Sequence, residues 1–388
     1  MPTVIDCDQH LFEPRGLWSD YADPSKRDRA IRMEDDALGH THLVWNGQRM
    51  GLAHVTLPGD TEAVGRYLAE VRAGQPARAH YDELVPPAYS APAERLAMLD
   101  RMGIDETVLF PNYGLLWERV LRDDLDATRV NMGAWNRFAI EVAAEGRGRL
   151  HPVAHLTLRD LDWLDAQLAA LSAGGVRLGM VGPGLVDGKP LSDPDLDRAW
   201  AAFVSHGISP VFHVANVERP FADAWYTDAH TPIESPESRT DLVLGSVFLW
   251  TGVALGLADL TINGVLHRHP DLRLGIMELS APWFPMFLMY LDGGIDFTTR
   301  LNGRPRFDYA MKPSEYVRSH VRIAGFSYER PDRLARRVGD LFMACSDWPH
   351  TEGSAHPLED YRKLGGEAAT PAAAPGLFGA NLAWLLRR

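Results

Sequence analysis

Short apolar or β-branched runs alternate with longer amphipathic stretches along this chain, and that alternation restricts its fold more than any other feature. Runs at 3–8, 107–110, 150–156, 175–181, 208–213, 272–278, 321–324 and 340–346 read as strands. Helical patterns at 93–102, 161–171 and 194–206 lie between them. Strands separated by helices pair in parallel through right-handed crossovers, and eight such units close most naturally into a (β/α)8 TIM barrel. An open doubly wound sheet would favour a glycine-rich turn after the first strand. Gln9-His10-Leu11-Phe12-Glu13 stands there instead.

Composition narrows the classes further. The 388 residues carry 39 Lys+Arg against 52 Asp+Glu, a net charge of −13, which argues against a nucleic-acid partner. Hydrophobic residues make up 46%, ample for a full core. Cys7 and Cys345 are the two cysteines, so a disulfide-stapled scaffold is excluded and a reducing cytoplasm is expected. No secretory leader is read at the start of the sequence. The most apolar stretch, 242–260, is interrupted by glycines and Asp259, so it reads as a buried helix and no membrane partner is expected.

One barrel is expected over 1–388, with two segments outside the alternation. The first, 14–92, reads as a small β-rich insertion holding a hairpin at 41–49 whose turn is Asn46-Gly47. The second, 215–246, reads as a lid-like cover over the barrel mouth. The Ala/Pro-rich stretch 365–376 reads as a poorly ordered connector to a last helix, 380–388.

Catalytic groups of such barrels stand at the C-terminal ends of the strands. The first strand ends in Asp6-Cys7-Asp8-Gln9-His10, with Glu13 just beyond. Simple alternation would put Asp6, Asp8 and His10 on one side and turn Cys7 and Cys345 away from it. Later strands end in His213, Glu278 and Asp347, with His350 three residues on. Singly, each is an ordinary cap, turn or core histidine. Together they put carboxylates and imidazoles at the ends of apolar strands, a cost that one divalent cation removes. Asp8, His10, His213 and Asp347 would supply two oxygens and two nitrogens, a set for Zn²⁺, with Mn²⁺ or Fe²⁺ as alternatives. His155, also at a strand end, carries less weight, Arg177 is a candidate holder of a carboxylate, and Trp283 is one of several aromatics suited to a planar small-molecule substrate.

The strand-one motif Asp6–Pro14, the Val211-Phe212-His213 run, the Pro270–Leu279 run and the late Cys345-Ser346-Asp347-Trp348-Pro349-His350 motif resemble the amidohydrolase superfamily. The resemblance is to its amidohydrolase 2 branch, the aminocarboxymuconate-semialdehyde decarboxylase-like enzymes. It implies a distorted TIM barrel with one catalytic divalent metal on Asp8, His10, His213 and Asp347, proton transfer by Asp347, and a homodimer. Asp6 and Glu13 would then orient His10 from behind. Two departures stand out: Asp-x-His replaces the superfamily's common His-x-His, and Glu278 stands where the decarboxylases carry a histidine. The expected activity is non-oxidative decarboxylation of a small aromatic or unsaturated carboxylic acid, with Asp347, Glu278 and His350 as catalytic groups. Metal-dependent hydrolysis of an amide, lactone or related bond uses the same residues, and a silent barrel serving as a binding module is the remote alternative.

Overall fold

The computed structural model describes residues 3–37, 39–50, 73–74, 80–214, 247–305, 307–350 and 353–388. Its strands, in chain order, are β1 (Ile5–Leu11), β2 (Arg32–Asp35), β3 (Thr41–Trp45), β4 (Gln48–Arg49), β5 (Glu106–Pro111), β6 (Leu150–His155), β7 (Leu178–Met180), β8 (Ser209–His213), β9 (Leu274–Met277), β10 (Val321–Gly325) and β11 (Phe342–Ala344). Among the described residues, β1 and β5 to β11 form one eight-stranded sheet in the order β1-β5-β6-β7-β8-β9-β10-β11, every pair parallel. The ends meet: the His10 amide donates to the Trp348 carbonyl at 2.9 Å and the Asp347 amide to the Asp8 carbonyl at 2.8 Å. The sheet is thus a (β/α)8 barrel, closed beside the residues that the sequence marks as ligands.

Strand alternation explains the interior. Ile5, Val108, Val153, Met180, Val211, Met277, Ala324 and Met343, one or more from each barrel strand, form a single buried cluster. Their neighbours Ala154, Phe212, Ile276, Ile323 and Phe342 pack outward against the helices. The last helix, Asn381–Leu385, adds Leu382 and Leu385 to the inner cluster, and the Ser209 hydroxyl donates to the Leu385 carbonyl at 2.7 Å. Ser209 opens β8, so this helix plugs the N-terminal end of the barrel and leaves the C-terminal end for chemistry.

Helices expected at 93–102, 161–171 and 194–206 appear as Pro92–Met102, Leu161–Ala173 and a Pro194–Leu196 turn running into Asp197–His206. The expected hairpin is the β3–β4 turn, where Asn46 and Gly47 both have positive φ (50° and 72°). Helix Trp250–Ile262 occupies the described part of the apolar 242–260 stretch, and among the described residues no helix is long and apolar enough to cross a membrane. The lid expected at 215–246 lies outside the described residues.

Two expectations are corrected. The stretch 365–376 is not a loose connector: it forms the turn Gly366–Ala369 with Ala369 buried and leads into a π-turn, Gly376–Ala380, that buries Leu377 and Phe378. The β1 alternation is broken, because its register with β5 slips between Asp6 and Gln9. Cys7 therefore packs in the inner cluster with Cys345, beneath the candidate ligands and not turned away from them. Both are free and buried, as expected.

Candidate metal centre

The ends of four strands, β1, β8, β9 and β11, converge on one cluster. The bulge in β1 brings Asp8 and His10 to it together: His10 Nε2 lies 3.7 Å from Asp8 Oδ1. His213 follows inward-facing Val211 by two residues on the same strand, so the pleat aims it at the barrel axis, whereas Asp347 lies three residues past the end of β11. Glu278 and Asp347 stand just past β9 and β11 at φ 50° and 54°, a left-handed conformation that non-glycine residues seldom adopt and that concentrates at functional sites. The strained turns swing both carboxylates over the barrel mouth.

The pairwise distances are those of donors around a metal ion, and among the described residues they fall into two overlapping groups, with His213 in one and Asp347 in the other. His10 Nε2 is 3.1 Å from Asp347 Oδ1 and 4.0 Å from Glu278 Oε2; His213 Nε2 is 2.9 Å from Glu278 Oε2 and 3.9 Å from Asp8 Oδ1. Ligands about 2.0–2.2 Å from a central ion are separated by no more than about 4.4 Å. Two ligand groups emerge, Asp8–His10–His213 and His10–Glu278–Asp347–His350, and they share His10. The donor set also fits chemically. Both Asp8 carboxylate oxygens and Oδ2 of Asp347 are buried and accept no hydrogen bond among the described residues. His10 Nδ1 is 3.2 Å from the Pro111 carbonyl, to which it donates, so the lone pair sits on Nε2 facing the carboxylates.

Electrostatics say the same. Burial pushes the His10 and His213 imidazoles down to about 3, the neutral form a ligand requires. Burial, then the Asp347 and Glu278 carboxylates, push Asp8 well above the ordinary carboxylate range. Burial also raises Asp347, but the His10 and His350 rings beside it more than offset this and hold it below that range. A divalent cation amid these carboxylates would remove the repulsion on Asp8.

His350 extends the cluster toward the mouth. Its Nδ1 is 3.0 Å from Asp347 Oδ1, its Nε2 is 3.0 Å from Asn112 Oδ1, and its ring stacks on His10 with centroids 3.8 Å apart. Asn112, one residue past β5, was absent from the sequence reading; its only signal was an amide side chain at the end of a barrel strand.

The remaining candidates fall elsewhere. Asp6 does not orient His10: its oxygens accept from the Asp8 and Ser346 amides at 3.1 and 3.0 Å and from Gln9 Nε2 at 2.9 Å. It ties β1 to the end of β11. Glu13 does not orient His10 either; it accepts from the Tyr113 and Gly114 amides at 3.1 and 2.7 Å and fixes the loop after β5. Arg177 precedes β7 at the opposite end of the barrel and donates to the Ser172 carbonyl at 2.9 Å, so it holds its own turn. His155 is the exception: it ends β6, buried and near enough to His213 to feel its charge, and burial first, then His213, pushes its imidazole down to about 3. Trp283 donates to the Leu279 and Ser280 carbonyls at 3.0 and 2.8 Å and stacks on Trp250.

No protein-family model matches the chain, and no curated protein matches it. Solved structures do. An amidohydrolase from Mycobacterium avium subsp. paratuberculosis is 23% identical with a TM-score of 0.73, covering 99% of each chain. A 5-carboxyvanillate decarboxylase from Novosphingobium aromaticivorans, complexed with manganese and 4-hydroxy-3-methoxy-5-nitrobenzoic acid, is 16% identical with a TM-score of 0.62, over 100% of this chain and 96% of that one. A 2,6-dihydroxybenzoate decarboxylase from Rhizobium is 15% identical with a TM-score of 0.60, over 100% and 99%. At these identities the likeness establishes the fold: from end to end, this chain is built on the barrel of that amidohydrolase and those aromatic-acid decarboxylases.

Proposed function

We propose that the protein is a metal-dependent enzyme of the amidohydrolase 2 branch that decarboxylates a small aromatic or unsaturated carboxylic acid. The observation that carries this reading is the convergence of Asp8, His10, His213, Glu278 and Asp347 at the C-terminal mouth, with buried Asp8 and Asp347 oxygens that accept no hydrogen bond among the described residues. Asp8, His10, His213 and Asp347 would hold the ion, and Glu278, within the same reach, adds a further oxygen. Two imidazoles with carboxylates accept Zn²⁺, Mn²⁺ or Fe²⁺. Zinc is the ion we propose, and manganese, carried by one of the neighbours, is the first alternative. Such an ion supplies Lewis acidity and a fixed positive charge for the substrate's oxygens.

The chain's own residues handle the proton. Loss of CO₂ leaves an electron pair on carbon that must take up one proton. His350, held between Asn112 Oδ1 and Asp347 Oδ1, carries that proton on Nδ1 and passes it to Asp347, which delivers it to the carbon.

Hydrolysis is the second reading. The amidohydrolase likeness and Glu278 favour it, and Asp347 would then take a proton from water and return it to the leaving group. Incubating the metal-loaded protein with hydroxybenzoates and unsaturated acids in D₂O separates the two. Decarboxylation yields CO₂ and one deuteron at the carbon that lost it. Turnover that releases no CO₂ and places oxygen from ¹⁸O-water in the product overturns the lyase reading. The resemblance also carries an assembly of two chains, and the buried free thiols Cys7 and Cys345 suit a reducing cytoplasm; we propose both.

A further inference from the structure

Helix Trp283–Asn302 buries Trp283, Phe284, Leu288 and Leu291 against the barrel. Its other face is apolar too: Met286, Met289, Tyr290, Phe297 and Leu301 are 41%, 66%, 67%, 66% and 71% exposed. At 3.6 residues per turn these side chains share one stripe. Gly293 and Gly294 lie at its centre, and among the described residues nothing stands within 4 Å of where their Cβ atoms would be. Glycine in a helix interior costs roughly 0.5–1 kcal/mol relative to alanine, so two adjacent glycines facing open space have no local benefit to offset that cost.

The stripe is symmetric about the glycine pair. The midpoint of Gly293 and Gly294 is also the midpoint of Tyr290 and Phe297, and of Met286 and Leu301. A second helix of the same sequence, laid antiparallel with a two-fold axis through that point, sets Tyr290 against Phe297 and Met286 against Leu301 in both directions. This is the self-complementarity of an isologous interface. The missing Cβ atoms let the two backbones approach at the crossing.

Shape and area agree. Beside the N-terminal half of the helix runs a groove of about 570 Å³ edged by Met286, Met289, Arg318 and Arg337. The two-fold carries onto this groove the exposed C-terminal half of the other copy, with Leu301 against Met286. The five apolar side chains expose on the order of 600–700 Å². That exceeds the roughly 300–600 Å² of a typical largest surface patch and supplies most of the roughly 800 Å² that each partner buries in a standard interface.

We propose that this helix face is the interface between two copies of the chain, packed antiparallel about Gly293–Gly294. It specifies the surface for the two-chain assembly proposed above and is independent of the metal chemistry.

Sedimentation of the metal-loaded protein tests it. The wild-type chain is expected as a dimer, and Tyr290→Asp and Phe297→Asp as monomers that keep their metal and near-ultraviolet circular dichroism. Single cysteines fix the register even if those variants fold poorly. Gly293→Cys, beside the axis, forms a disulfide-linked dimer on mild oxidation. Leu301→Cys alone does not, but cross-links when mixed with Met286→Cys. A monomeric wild type overturns both the assembly and this surface. A wild-type dimer that survives both aspartate substitutions, or that gives no Gly293→Cys cross-link, overturns this surface alone; in either case the enzymatic reading stands.

Discussion

Asp347 carries the most demands of any side chain in the centre. It faces His10 and His350 at 3.1 and 3.0 Å, its backbone is left-handed, and Oδ2 is buried without a hydrogen bond among the described residues. Asp347→Asn keeps the shape and removes the oxygen proposed to carry the proton. We expect it to lower turnover by about 10²–10⁴, the usual worth of a general acid, while part of the metal stays bound; rate and metal content measured on one preparation check this, and full activity would remove the role. Asn112→Ala leaves both partners of proton transfer in place but releases the far side of His350. As a positioning change it should shift the pH–rate profile as well as lower the rate; a lowered rate with an unmoved profile would reduce Asn112 to packing. Asp8, His10, His213 and Asp347 were legible because each is a ligand-type residue at the end of an apolar run. Asn112 was not, because its importance comes from His350, 238 positions away in the chain.

At the scale of elements, turns and bulges place the chemistry. All eight barrel strands were legible from hydrophobic periodicity, and alternation correctly aims His213 inward. It fails on β1, where the register slip separates Asp6 from Asp8 and His10. A bulge adds one residue without changing composition, so periodicity does not reveal it. The left-handed turns at Glu278 and Asp347 were hidden for a similar reason: neither residue advertises positive φ as glycine would. The loop after β11 folds back on itself, and a Cβ on Gly353 would lie 2.5 Å from the Asp347 carbonyl oxygen. Gly353→Ala must therefore displace that backbone. We expect a loss of about 1–3 kcal/mol in stability, the usual cost of overpacking, with a fall in activity; an alanine variant with unchanged melting and rate would contradict the packing.

The loop after β5 hangs on Glu13, which burial pushes up to about 7 despite the Gly114 and Tyr113 amides bonded to it. A carboxyl with a raised folded pKa favours folding fully below its unfolded value, near 4.5, and that contribution is lost as pH rises through about 7. Denaturant titrations should show wild type losing about 3 kcal/mol more than Glu13→Gln between pH 4.5 and pH 8. Equal losses would mean that Glu13 is ionised throughout.

On the scale of the whole molecule, closure of the barrel and assembly of the centre are one event. The hydrogen bonds that join β1 to the end of β11 run through Asp8, His10 and Asp347, so the seam of the barrel is also the candidate ligand cluster. An ion that binds only the folded state raises stability with its concentration. Added Zn²⁺ or Mn²⁺ should therefore raise the melting temperature of chelator-treated protein, and His10→Ala should abolish that rise. The closed barrel was legible because eight alternations leave few other topologies. The exposed stripe of helix Trp283–Asn302 was not, because an apolar residue reads alike whether it packs on its own core or on a second chain. The central claim is that one divalent ion sits where Asp8, His10, His213 and Asp347 meet. Anomalous diffraction from crystals grown with that metal tests it most directly. We expect a single strong peak about 2.0–2.4 Å from donor atoms of these four residues; a metal-loaded crystal with the peak elsewhere, or with His213 and Asp347 too far apart to share an ion, would contradict it.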